Sequence, residues 1–176
     1  TVSADFLFRQ FSHVDKKTLL VRNGTEFLHF HDSQPTPALA HLPHPIIGYY
    51  GAISEWFDTE LIATAARQRP EWCFVLIGDT FGANLQSLHG LANVHLLGEK
   101  PYAELPGYLQ CFDVSCIPFH LTELTRATDP VKFYEYLSAG KPVVATRLPE
   151  LLSFSDFLYF ATDAGEFIGK IEQALR

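Results

Sequence analysis

Methionine is absent from the 176 residues, and the first residue is Thr1. The sequence is therefore expected to be a piece of a longer polypeptide rather than one that opens at a native start. Cysteine is sparse: Cys73, Cys111 and Cys116 are odd in number and scattered, which fits reduced thiols and argues against a disulfide framework. A cationic excess is also lacking. Thirteen Lys and Arg against twenty Asp and Glu leave a formal net charge of −7, so there is no broad basic face and general nucleic-acid binding is not expected. No apolar run approaches the roughly 20 residues of a membrane span. The longest, such as Trp72–Ile77, have strand length, and no secretory leader opens the chain. A cytoplasmic location is expected. The sequence also lacks G-x-G-x-x-G, the P-loop Gly-Lys-Ser/Thr, H-E-x-x-H and G-x-S-x-G. These gaps speak against a typical NAD dehydrogenase, a P-loop enzyme, a zincin and a serine hydrolase.

What is present describes a packed domain. Apolar residues make up 47% and charged ones 19%, with a mean hydropathy of +0.05. A chain of this length buries roughly 70% of its unfolded surface without needing a staple. From residue 46 onward short apolar strands alternate with helical spacing. Strands are expected at Ile46–Tyr50, Trp72–Ile77, Val94–Leu97, Asp113–Ile117, Pro142–Ala145 and Phe157–Phe160. Helices are expected at Asp58–Gln68, Asn84–Leu88, Tyr102–Phe112, Pro130–Ser138, near Glu150, and at Ala164–Leu175. Near-continuous apolar strands suit a parallel sheet covered on both faces. The fold class is therefore α/β: a doubly wound, mostly parallel, six-stranded Rossmann-like sheet. Such sheets bind ligands at the carboxyl ends of their strands, where the strand order reverses. That places function at Gly51, Gly78, Glu99, Pro118 and the loop before Pro130.

Residues 1–30 read differently, with a helix from Ala4 to Phe11 and a short apolar strand at Thr18–Val21 that resembles the tail of a preceding domain. Residues 31–45 carry four prolines and are expected to be a stiff, extended linker leading into a domain at 46–176.

Chemistry concentrates between Thr122 and Arg147, which hold Arg126, Lys132, Lys141 and Arg147 in an otherwise acidic chain. Thr128 or Asp129 is placed to cap a helix with Pro130 at its first position. That helix would point a positive terminus into the crevice, with Lys132 in its first turn and Glu135 three residues on. An anion at the helix mouth and a diol one turn deeper is the layout of a nucleoside diphosphate. A surface helix carrying an i,i+3 ion pair fits the same residue types.

Asp129–Thr146 (DPVKFYEYLSAGKPVVAT) resembles the nucleotide-sugar segment of group 1 (family 4-type) glycosyltransferases. The resemblance extends in order through Val21–Glu26 with Phe30, Ile47–Ile53 with Trp56–Asp58, Phe74–Gly78 and Asn93–Gly98. It implies one half of a GT-B architecture, the C-terminal domain that binds a nucleotide-sugar donor for transfer to an acceptor hydroxyl. By that carry-over Gly51 lets backbone approach the donor phosphates, Lys132 contacts the diphosphate and Glu135 the ribose. Glu99 and Tyr102 on one loop, and His120 on another, would flank base and sugar, with Ile53 and Val131 as further loop contacts. Arg126 is added for phosphate from its sign and place.

The resemblance also implies no cofactor and no obligatory metal. A saccharide or lipid-linked acceptor would come through an N-terminal domain, and an isolated fragment would turn over little. The Pro-x-Lys-x-x-Glu version resembles a subgroup acting on cell-surface polysaccharides, with the full-length protein peripheral at the inner membrane face. The pattern departs from the family's commonest form in two places. Ala127 stands where many members carry a Glu eight residues before Glu135, and Glu55–Asp58 stand where a basic pair is common. Two rivals share the fold: a nucleotide-sugar epimerase of GT-B shape, and a non-catalytic interaction module.

Other residues carry bland readings. His29-x-His31 and His41-x-x-His44 are too loosely spaced, in an irregular segment, to read as a metal site. His120 also fits a solvated loop, while Cys73 and Cys116 fit the strand core. Asn23–Thr25 matches a glycosylation sequon but reads as a tight turn. Trp56 and Phe57 would either cover the first loop or face the other domain.

Overall fold

The computed structural model describes residues 1–14 and 17–176. Six strands form one sheet: β1 (Ile46–Tyr50), β2 (Cys73–Ile77), β3 (Val94–Leu96), β4 (Val114–Ile117), β5 (Val143–Thr146) and β6 (Tyr159–Ala161). Their order is β3-β2-β1-β4-β5-β6, and every neighbouring pair is parallel. The order reverses between β1 and β4, where Ile47 pairs with Val114 and Gly48 with Ser115. The crevice expected of a doubly wound sheet therefore opens beyond Tyr50 and Ile117.

All five residues of β1 and of β2 are buried, the signature of strands covered on both faces. The helices fall into two groups. Helix α3 (Thr59–Gln68) packs against α7 (Ala164–Ala174), while α2 (Phe27–His31) packs against α4 (Leu105–Gln110) and α6 (Val131–Ser138). Asp58 caps α3 by accepting from the Leu61 amide at 2.8 Å, and Asp163 caps α7 by accepting from Glu166 at 2.9 Å. Helix α1 (Asp5–Phe11) and the one-turn α5 (Glu123–Arg126) complete the set.

Several local expectations are corrected. The apolar stretch at 18–21 is not an orphan strand: Leu20 forms a parallel bridge with Val2, whose amide donates to Leu19 O at 2.9 Å. Residues 31–45 are not a free extended span. They contain a 3-10 turn at Pro37–Leu39, bury Leu39 and Leu42, and dock through Thr36 N on Gly107 O at 2.9 Å. The helix expected over 102–112 begins as a 3-10 turn, Tyr102–Glu104, and becomes α-helical only at Leu105. Helix α6 starts at Val131 with Pro130 as N-cap and no side-chain cap, so neither Thr128 nor Asp129 caps it. Thr128 instead donates to Leu124 O, and Asp129 accepts from the Asn23 amide and the Tyr134 hydroxyl.

Candidate functional site

The switch point is built by three chain segments. The first follows β1, where Gly51 has φ +124°, a conformation open to glycine but strained for L side chains. Its amide donates to Ile77 O at 2.8 Å, which turns the chain across the end of β2. Close approach matters here as well. A Cβ on Gly51 would lie 2.9 Å from Lys132 Cε, and one on Gly78 would lie 2.0 Å from Gly51 O.

The second segment is the first turn of α6, which swings Lys132 over the end of β1. The ammonium lies 5.2 Å from the centre of the Tyr49 ring and 5.1 Å from that of Phe119. It makes no hydrogen bond or ion pair among the described residues. Burial pushes its pKa down to about 8, against the opposing pull of Glu135. The third segment follows β4. There Phe119 N donates to Thr146 Oγ1 at 3.1 Å, and Phe119 bridges to Phe57.

Glu135, one turn along α6, is buried, and its Oε2 accepts from the Tyr50 hydroxyl at 2.8 Å. Tyr50 is held in turn by an edge-on contact with Tyr136, whose hydroxyl accepts from Tyr50 N at 3.2 Å. Burial raises the Glu135 pKa, while the Tyr50 hydrogen bond, Lys132 and His29 oppose that rise. Beside it His29 stacks on Tyr102 with ring centres 4.9 Å apart, and His29 Nε2 is buried without a partner.

Two cavities flank the Gly51–Lys132 contact. One, of about 350 Å³, has Lys132, Trp56, Phe119 and Leu124 among its walls. The other, of about 150 Å³, is lined by Gly51, Gly78, Asp79, Glu99 and Lys100. A wider groove of about 660 Å³ has Trp56, Leu124 and Ala127 on one side and Phe6, Leu7 and Gln10 of α1 on the other.

The structure thus brings Gly51, Glu99 and Lys132 to the same sheet edge. Glu135 and Tyr102 lie in a neighbouring cluster that does not line the Lys132 cavity. Val131 is exposed in the first turn of α6. Ile53 is fully buried and its amide is engaged by Asp79 O at 2.8 Å, so it presents nothing to the crevice. His120 is exposed and turns to Asp58 at 3.4 Å, lining a separate depression with Thr146 and Arg147. Arg126 is exposed at the end of α5 and lines none of these cavities.

Sequence reasoning missed the ties that Asp5, Phe6, Arg22 and Asn23 make to Glu150 and Asp129. Buried Glu150 accepts from the Asp5 and Phe6 amides at 2.9 and 3.0 Å and from Arg22 at 2.9 Å. Asn23 donates its amide to Asp129 Oδ2 at 2.8 Å and its Nδ2 to Asp129 O at 2.7 Å. The available signal was a lone carboxylate in the apolar stretch Leu148–Leu152, and an Asp directly before the proline that opens α6. Among the described residues no cluster of three or more His, Cys, Asp or Glu could hold a metal ion, and no helix is long and apolar enough to cross a membrane.

The family described as glycosyl transferases group 1 matches residues 44–176, three quarters of the chain. The chain belongs to the group 1 glycosyltransferases. It is 33% identical over 162 residues to a Bacillus subtilis (strain 168) protein named as a teichuronic acid biosynthesis glycosyltransferase, TuaH. That match takes in 85% of this chain and 40% of the relative. Among solved structures, HepE of Anabaena in complex with UDP-glucose superposes with a TM-score of 0.77 at 20% identity, covering 99% of this chain and 53% of HepE. Sucrose-phosphate synthase of Thermosynechococcus elongatus gives 0.72 at 21% identity, covering 99% and 48%. The chain therefore spans about half the length, or less, of these proteins. The all-parallel Rossmann-like sheet is the fold that HepE and the sucrose-phosphate synthase share with this chain.

Proposed function

We propose that this chain is the donor-binding domain of a glycosyltransferase that moves a glycosyl group from a nucleoside diphosphate to an acceptor hydroxyl. One observation carries the reading: the Lys132 ammonium sits without a carboxylate partner in the switch-point crevice, against a glycine that leaves the backbone open. In this role Lys132 takes the charge of the diphosphate, and the Val131 and Lys132 amides, left without a side-chain cap, add oriented dipoles. As the glycosidic bond breaks, negative charge grows on the departing phosphate oxygen. A fixed cation in a partly desolvated crevice lowers that barrier without reorganising. Gly51 and Glu99 border the donor on the β1 side. Glu135 would offer the ribose only the oxygen that Tyr50 leaves free. Arg126, at the end of α5, and His120, in the loop after β4, would reach the donor only after moving inward.

The name of the Bacillus subtilis relative favours a cell-surface polysaccharide as the product. The acceptor would approach through an N-terminal domain facing this one, with the whole protein peripheral at the inner membrane face and the separate domain nearly inactive. Calorimetry with UDP, GDP and ADP tests the reading: one should bind, and silence from all three by a folded chain sinks it. Lys132→Ala should weaken that nucleoside diphosphate by roughly ten- to a hundredfold, as expected for a charged hydrogen bond, and the matching nucleoside far less. Equal losses would refute the phosphate role.

A further inference from the structure

The cavity beside Lys132 has an unusual set of walls for a pocket that would hold a sugar. Its surfaces are Trp56, Phe119, Leu124 and Ala52, and no carboxylate lines it. Its two threonines are committed elsewhere: Thr125 Oγ1 donates to His120 O, and Thr128 Oγ1 donates to Leu124 O at 2.8 Å. Among the described residues, Lys132 and the Trp56 indole N–H are thus the side chains there with free donors, and none is a charged acceptor. A hexose that presents hydroxyls on every side would leave several of them without an acceptor, a cost that an apolar wall does not repay. The same wall would gain from each methyl group taken out of water. At about 350 Å³ the cavity holds one sugar residue, with the cation in its wall to receive the attached phosphate. The adjoining groove changes character: beside Trp56, Leu124 and Ala127 it is lined by Glu55, Thr122 and Glu123, which give partners to hydroxyls that face it.

We infer that the donor's glycosyl group carries a methyl-bearing substituent, an acetamido group or a 6-deoxy carbon, seated against Trp56, Phe119 and Leu124. The inference rests on the proposed function and narrows its substrate class. The acetamido methyl or the C6 methyl lies on the Trp56–Leu124 side, and the ring's remaining hydroxyls point out toward the open groove.

Saturation-transfer NMR and competition binding on the whole chain test this with matched donors: UDP-GlcNAc against UDP-glucose, and GDP-rhamnose against GDP-mannose. UDP, GDP and ADP are run beside them. The methyl-bearing member of the pair with the accepted base should bind about three- to tenfold more tightly, and its methyl protons should receive the strongest sugar saturation. Because the base selects the pair, UDP-6-deoxyglucose is added to the uridine set and GDP-N-acetylmannosamine to the guanosine set, so that the acetamido and deoxy sources are separated on one base. Leu124→Ser, at an exposed position that leaves the core intact, should bring the ratio toward one. Equal affinities within both pairs, or an unchanged ratio in Leu124→Ser, overturn the inference while nucleoside diphosphate binding stands. Failure of UDP, GDP and ADP alike to bind overturns the proposed function, and the inference with it.

Discussion

Replacing Lys132 by Met separates the cost of the half-buried cation from its use. The side chain keeps its length and loses its charge. The lysine pKa falls from the ordinary 10.5 to about 8, chiefly through burial, so holding the proton in the folded chain costs on the order of 3 kcal/mol. Loss of the contacts with Tyr49 and Phe119 returns about 1 kcal/mol of that. Lys132→Met should therefore stabilise the chain by about 1–2 kcal/mol at pH 7. The sign follows from proton counting. Between pH 8 and 10.5 the unfolded chain holds the lysine proton and the folded chain does not, so wild-type stability climbs with pH across that window. The variant has no such titration, and its advantage should be full below pH 8 and gone by pH 10.5. Urea unfolding at pH 7 and pH 10.5 reads this directly, with calorimetry on UDP and GDP reading the lost affinity. A variant that is less stable at pH 7 and binds nucleoside diphosphate as before would refute both halves of the reasoning.

Three further perturbations bear on the site and its supports. Gly51→Ala places a Cβ at φ +124° and 2.9 Å from Lys132 Cε, so it should cost about 1–3 kcal/mol in urea unfolding and weaken nucleoside diphosphate binding together. Unchanged binding would show that Lys132 need not lie there. Tyr50→Phe removes the hydrogen bond to buried Glu135 and should cost about 1.5–3 kcal/mol near neutrality. Because burial already raises the Glu135 pKa, its penalty grows as pH rises above the ordinary 4.5. The variant should therefore lose more at pH 7 than at pH 5, and a pH-independent loss would contradict the assignment. Glu150→Ala strips partners from the Asp5 and Phe6 amides and from Arg22. Those amides should exchange with solvent at least tenfold faster, and unaltered exchange would mean that α1 is held some other way.

The fold was legible because its strands are short, continuous apolar runs, and because residues such as Asp58 announce a helix start locally. What escaped the sequence depends on partners far along the chain. Asp129 looks like a cap for α6, but its carboxylate is engaged by Asn23, 106 positions away, leaving the helix mouth uncapped. The prolines of 31–45 suggest a rod, yet Leu39 and Leu42 find the core and fold the segment onto α4. At the site, the approach of Lys132 to Gly51 follows from motif order and the switch-point rule, and the structure has both in contact. The direction of His120 was hidden, because its neighbour Asp58 sits on another loop. The apolar lining of the cavity beside Lys132 was hidden too, since Trp56, Phe119 and Leu124 meet only after the sheet forms.

Titration of Lys132 itself, followed through its side-chain resonances with and without saturating UDP or GDP, asks most directly whether this ammonium grips a diphosphate. The free chain should titrate near pH 8, and the bound chain should hold its proton to well above pH 9 as the phosphates stabilise the charge. A titration that stays near pH 8 when nucleotide is bound would contradict the account.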